Sequence, residues 1–288
     1  MNVGIRKTSI ERQQVDEIKK DFEARREARK PLELQWRLNM NFYNGNQYSE
    51  ISPVGDIEQY GKQYFWQERE VYNHIASIVE TRLSKLARTN CALSAKPMSG
   101  QESDLNSAKL SSKIIKATCE ENKLSNLINT ATTWSEVTGS CFFKIVWNAD
   151  KGRVVGKTKN ENVVKEGDVE ISVVPPYEIF PNNLTCSDIE DCRSIIHAKA
   201  YNAEDIKDIW GVSVEGEDVD VFGLDNSAIG GGLGYQASFQ NMPSQKVKDS
   251  CVVIERYTRP TKECPNGKLE VVAGEKLLYE GELPYANG

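Results

Sequence analysis

At residue 141 the spacing of apolar side chains changes from helical to extended. Upstream they recur three and four positions apart. Val15, Ile18 and Phe22 do so, as do Leu32, Trp36, Met40 and Tyr43, and a third set, Val71, Ile75, Ile78, Val79 and Leu86, runs through residues 68–88. Such spacing places each set on one stripe of an α-helix. Downstream, "CFFKIVWNADKGRVVGK" reads as two β-rich runs around the turn residues "NADKG". "DVEISVVPP", a prolyl turn in "YEIFPNN" and "RSIIHAKAY" follow, all with extended character. A chain that is helical first and β-rich second predicts an α+β fold.

Punctuating residues refine that plan. Pro31 lacks an N–H and suits only a first helical turn, so 10–44 is expected to form two helices, the second stopped by Asn44-Gly45. Two more helices are expected around 102–123 and over 125–138, with Ser125 capping the latter and Gly139 ending it. Asn202, with Glu204 and Asp205, opens the short helix "AEDIKDIW", which Gly211 closes. Residues 212–249 are acidic and then glycine-rich ("IGGGLGYQASFQNMPSQ") and are expected to be a mobile loop, having little apolar surface to bury. Strands resume at "CVVIERYTR", "KLEVVAG" and "EKLLYEG". The expected domain plan is a helical part over 1–140, a small antiparallel, barrel-like β-rich region over 141–211, the loop over 212–249, and strands over 250–288.

Composition narrows the function classes. With 39% apolar and 27% charged residues and a mean hydropathy of -0.53, the chain reads as soluble and cytosolic, and no apolar run approaches the length of a membrane span. The seven cysteines are odd in number and scattered. The closest pair, "CSDIEDC", matches no usual zinc spacing, so free thiols are expected. Two histidines, His74 and His197, are too few for a histidine relay or a His-rich metal centre. The net charge of -6 argues against an even coat for nucleic acid. Within it, residues 160–230 hold sixteen acids against four bases, leaving +6 on the remainder.

Several residue groups are candidates for chemistry. "GGGLGY" lacks the lysine and hydroxyl residue of a phosphate-binding loop and reads as flexible. Asp168, Glu170, Glu178, Asp188, Glu190 and Asp191 could supply carboxylates to Mg²⁺, but they fall on turns and strand ends where acids are ordinarily solvated. His197 reads as a strand residue with one hydrogen bond, and Phe143, Trp134 and Trp147 as core. No catalytic residue, metal site or cofactor is assigned, and no enzyme is expected. The run Arg25, Arg26, Arg29, Lys30 and Arg37 is interleaved with Glu23, Glu27 and Glu33, which suits internal ion pairs on a solvated face or a contact between copies of the chain. Candidate subunit contacts are Arg25, Arg26, Arg29, Trp36, Asn39, Tyr43 and Asn44.

The order of five stretches over about residues 20–211 resembles that of the portal proteins of tailed bacteriophages and prophages. They are "RKPLELQWRLNMNFYNGNQY", "VYNHIASIVETRLSKLART", "LINTATTWSEVTGSCFFKIVWN", "GDVEISVVPPYEIFPNN" and "RSIIHAKAYNAEDIKDIWGV". The resemblance implies the wing region of a non-enzymatic ring, usually dodecameric, at one capsid vertex. Double-stranded DNA is packaged and ejected through such a ring without sequence-specific binding. The implied partners are other copies of the chain, the terminase motor, capsid and head-tail adaptor proteins; no membrane is implied. The implied location is the virion, with the host cytoplasm during assembly. The family's stem and clip normally follow the point where this sequence stops, so 250–288 is expected to lead toward an absent stem and the fragment to associate weakly by itself. The alternatives are a carboxylate-metal phosphodiesterase acting on DNA and another head or adaptor assembly protein.

Overall fold

One long helix, α1 (Asn2–Tyr43), crosses a six-stranded antiparallel sheet. The computed structural model describes residues 2–53, 55, 57–59, 66, 70–88, 93–149, 151–157, 163–186, 188–220, 246–262 and 264–285, with side chains from residue 11 onward except at 59, 157, 218–220, 246 and 247. The fold is α+β, built from small antiparallel sheets, none of which closes into a barrel among the described residues. The chain divides into two units: Met1–Tyr72 with Tyr177–Gly288 (unit 1) and Asn73–Pro176 (unit 2). That division cuts across the change of period at 141, because α1 belongs with strands that follow it by more than a hundred residues.

In unit 1, β1 (Ser49–Ile51) and β2 (Ile57–Gln59) form a small ribbon. The main sheet contains β7 (Ile179–Pro181), β8 (Ser194–Asn202), β9 (Glu217–Asp220), β10 (Lys246–Thr258), β11 (Lys268–Ala273) and β12 (Lys276–Gly281). Its order is β12-β11-β10-β8-β7, with β9 paired to the start of β10. Successive strand residues point to opposite faces, and both faces are covered. Ile196 and Ala198 of β8, Ile254 of β10 and Val272 of β11 meet Val15, Ile18 and Phe22 of α1. On the other face Val253, Val271 and Ala273 pack with Ile206 of α5 (Ala203–Trp210). Gly211 ends α5 in the left-handed conformation, as its position predicts.

Two expectations change in unit 1. Pro31 lies inside a single continuous helix. An interior proline costs about 3 kcal/mol, and contacts on both sides of it offset that cost: Phe22 packs edge-on to Phe180 and Trp36 edge-on to Tyr177. The helix stops at Tyr43, and Gly45 takes φ +94° as the Asn-Gly signal predicts. The segment 212–249, expected as a loop, carries β9 and the first residues of β10; its central residues 221–245 lie outside the described residues. Pairing with a neighbouring strand supplies the backbone hydrogen bonds that composition alone does not reveal.

Unit 2 contains α2 (His74–Ala87), α3 (Glu102–Glu121) and α4 (Leu124–Thr138), a ribbon of β3 (Phe142–Asn148) with β6 (Asp168–Val174), and a ribbon of β4 (Val154–Lys157) with β5 (Val163–Lys165). The runs flanking "NADKG" therefore pair with later strands, not with each other. Asn73 caps α2, its side chain accepting from the Ala76 N–H. Lys123, in the left-handed region at φ 51°, precedes α4, so Ser125 lies within that helix and is not its cap. Gly139 closes α4 at φ +86°. The buried residues of α4 are Ala131, Thr133, Trp134 and Val137.

Candidate functional site

Buried polar side chains of unit 1 gather on both faces of the sheet. On the α5 side, β8 places His197 opposite Glu255 of β10. The His197 Nδ1 stands 3.0 Å from Glu255 Oε2, and its Nε2 stands 3.2 Å from Glu178 Oε2. Tyr257 donates its hydroxyl to Glu255 Oε2 at 2.7 Å. All three ionisable members of the Glu178, His197, Glu255 line are buried. Burial, followed by the neighbouring Glu255 charge and its hydrogen bond, pushes the Tyr257 phenol well above the ordinary tyrosine range. Burial likewise raises Tyr201 to about 12, and Glu255 and Glu178 add to the effect.

This line ties two strands to the short turn that leads into a third. Glu178 precedes the edge strand β7, His197 sits on β8 and Glu255 on β10, so one imidazole bridges elements 19 and 58 positions away in the chain. With a carboxylate at each nitrogen and little exposure, the ring bridges two buried carboxylates and gives each a hydrogen-bonding partner. Sequence reading assigns His197 one hydrogen bond; the structure gives it two partners. The missed signal is alternation. In "CVVIERYT", Glu255 and Tyr257 share the face of Cys251 and Val253, an apolar row into which a carboxylate fits only with a partner.

On the α1 side the polar residues fasten the helix. Arg25 bonds both oxygens of Asp21 and donates to the carbonyls of Phe180 and Ser194 and to the Ser194 hydroxyl. Arg29 donates to the Tyr177 carbonyl at 2.7 Å, to the Ile179 carbonyl and to Glu33, and its guanidinium carbon lies 3.5 Å from the centre of the Phe180 ring. Burial lowers the Arg29 pKa against the opposing pull of Glu33. Further along the sheet, Arg256 joins Glu270 and reaches back to Glu17 of α1. Burial works against the Arg256 charge, but Glu270 and Glu17 outweigh it and raise its pKa.

The candidate subunit contacts therefore separate. Arg29 and Trp36 are buried inside the chain, and Arg25 is spent on Asp21 and the sheet carbonyls, so these three are intrachain anchors. Arg26 is exposed, while Asn39, Tyr43 and Asn44 are half-buried, Asn39 accepting from Gln35. Of the six candidate carboxylates, Asp168 and Glu170 belong to unit 2, and Glu178, Asp188, Glu190 and Asp191 to unit 1. Among the described residues no group of three or more His, Cys, Asp or Glu side chains is placed to hold a metal ion. No protein-family model matches the chain, and no curated protein matches it.

Proposed function

We propose that this chain is a structural subunit of a portal-type ring at a phage capsid vertex, through which double-stranded DNA is packaged and ejected. The observation that carries the reading is where the resembling stretches fall. "FYNGNQY" is the stop of α1 before β1, "GSCFFKIVW" is the passage from α4 into β3, and "VPPYEIFP" is the passage from β6 into β7. The signature residues thus sit at junctions that set chain direction, as expected of a family defined by architecture. The polar line through His197 supports the same reading, since its carboxylates are taken up in joining strands. A net charge of -6 suits a conduit that must not grip the polyanion passing through it.

The other parts of the reading follow from the resemblance: a wing-type fold, a non-enzymatic role, and terminase, capsid and adaptor partners in the virion. Negative-stain images of the chain expressed from its natural reading frame are expected to show rings with a central channel. Metal-dependent cleavage of plasmid DNA, lost on replacing Asp168 or Glu178, would overturn the proposal in favour of a phosphodiesterase.

A further inference from the structure

The β3–β6 ribbon of unit 2 has two unlike faces. Residues opposite each other in an antiparallel pair project to the same side. The register thus places Phe143 with Val173, Ile145 with Ile171, and Trp147 with Val169 on one face, all apolar. The alternate face pairs Lys144 with Ser172, Val146 with Glu170 and Asn148 with Asp168, and ends at Phe142 with the buried Val174. Apolar side chains of this size are expected in a core, yet Phe143, Ile145 and Trp147 are 44%, 50% and 65% exposed. A solvated strand face ordinarily carries polar residues.

The face is held in shape. Gly167, at φ +75°, lies directly against the Trp147 indole, and a Cβ there would stand 2.5 Å from Cζ2 of the ring. The Gly167 N–H bonds to the Lys151 carbonyl and that of Glu166 to the Arg153 carbonyl, which closes the turn under the indole. On the outer edge of β6, Asn122 donates to the Val169 carbonyl and accepts from the Ile171 N–H. An exposed tryptophan packed on the backbone at Gly167 and set amid aliphatic neighbours is the kind of residue that anchors protein interfaces.

Charge selects the occupant. Unit 2 carries fourteen bases against eleven acids, +3, whereas the rest of the chain carries twenty-two against thirty-one, -9. A second unit 2 would meet like charge; unit 1 of another copy offers the opposite sign. A tryptophan, a phenylalanine and an isoleucine about half exposed present roughly 300 Å² of apolar surface. That is the size of the largest patch on an ordinary monomer and enough for the dry centre of an interface burying about 800 Å² per partner. We infer that the Phe143, Ile145 and Trp147 face of unit 2 is a self-association surface that docks on the acidic unit 1 of a second copy. Such a contact joins unlike faces of identical chains and so propagates head to tail, into a ring if the rotation closes and a filament if it does not. Closure rests on the ring reading above; the contact itself does not.

The test mixes heavy-isotope-labelled and unlabelled 288-residue chains. Sedimentation from micromolar to millimolar concentration is combined with carbodiimide crosslinking of lysines to carboxylates. The expected result is a mass that rises with concentration and mixed-isotope crosslinks from Lys151 or Lys165 to carboxylates within 1–72 or 177–288. The exposed double substitution Ile145→Glu and Trp147→Glu is expected to weaken association roughly tenfold or more without changing the far-ultraviolet spectrum. Gly167→Ala, which displaces the indole, is expected to weaken it as well. A monomer at every concentration, crosslinks joining two copies of unit 2, or a double variant that associates as tightly as the parent would each overturn the inference. Negative-stain images of the same samples separate the two ideas. Rings formed equally by the double variant sink this surface and leave the ring reading intact, whereas head-to-tail crosslinks in open chains leave the surface and sink the ring.

Discussion

Replacing Arg29 with alanine is expected to destabilise unit 1 by about 3–5 kcal/mol. The side chain is only 3% exposed and its guanidinium is shared among the Tyr177 and Ile179 carbonyls, Glu33 and the face of Phe180. Truncation leaves two backbone acceptors without that donor, at about 1–3 kcal/mol each. It also removes a desolvated cation–π contact of about 1–2 kcal/mol. Two effects reduce the total. Glu33 is a quarter exposed and can rehydrate, and the burial that lowers the Arg29 pKa is a cost the variant no longer carries. Arg29→Lys keeps the charge but cannot reach every acceptor at once, so about 1–3 kcal/mol is expected. The exposed neighbour is the control: Arg26→Ala is expected to change stability by less than about 0.5 kcal/mol. Urea unfolding followed by tryptophan emission reads all three, because Trp36 lies beside the Arg29 guanidinium at 5.7 Å. An Arg29→Ala loss below about 1 kcal/mol, or an equal loss from Arg26→Ala, would refute the idea that this guanidinium fastens α1 to the edge strand.

Pro31→Ala is expected to stabilise the chain by about 1–3 kcal/mol, since it restores a donor inside a helix whose course is already set; a loss of stability by the same urea assay would show that the proline shapes the helix. Cys192 is raised to about 11 by burial, by Cys186 and by Asp191, so its thiolate fraction at pH 8 is about a hundredfold below that of an ordinary thiol. Mass-spectrometric alkylation kinetics are expected to find it among the slowest thiols, and rapid labelling at pH 8 would contradict the burial. Glu121 is raised above 4.5 by its hydrogen bond to Asp168 and by that residue's charge. The folded state therefore holds that proton more tightly, and the contribution is present below the unfolded pKa and lost as pH rises through the folded one. Unit 2 is expected to lose stability over the acid range just above pH 4.5, and Glu121→Gln to flatten that slope in melting temperatures measured across a pH series.

Local rules located most elements, because caps, stops and alternation act within a few residues. Gly139, Gly211 and the Asn44-Gly45 stop fall where the sequence places them, and β8 and β11 match their quoted runs closely. What could not be read was anything decided at long range. Pro31 reads as a break because the contacts that carry α1 past it, Tyr177 and Phe180, lie some 150 residues away. Glu178 looks like an ordinary surface acid until the strand order brings it to His197, and Glu255, though its apolar row marks it as buried, has no partner readable in the sequence because His197 lies 58 positions away. Phe143 and Trp147 read as core because alternation reveals that a strand has an apolar face, not whether anything covers it. Trp134, on the same reasoning, is buried.

The division of the chain also sets an order of events during synthesis. Unit 2 is one continuous segment and can close as soon as Pro176 has left the ribosome. Unit 1 cannot, because the strands that receive Val15, Ile18 and Phe22 are all made afterwards. At about 5–20 residues per second, the inserted segment alone leaves α1 without its sheet for roughly 5–20 seconds. During that interval the nascent helix displays an apolar stripe and two arginines whose carbonyl acceptors do not yet exist. A chaperone that binds amphipathic helices would meet α1 first, and release would be timed by the arrival of β8 and β10.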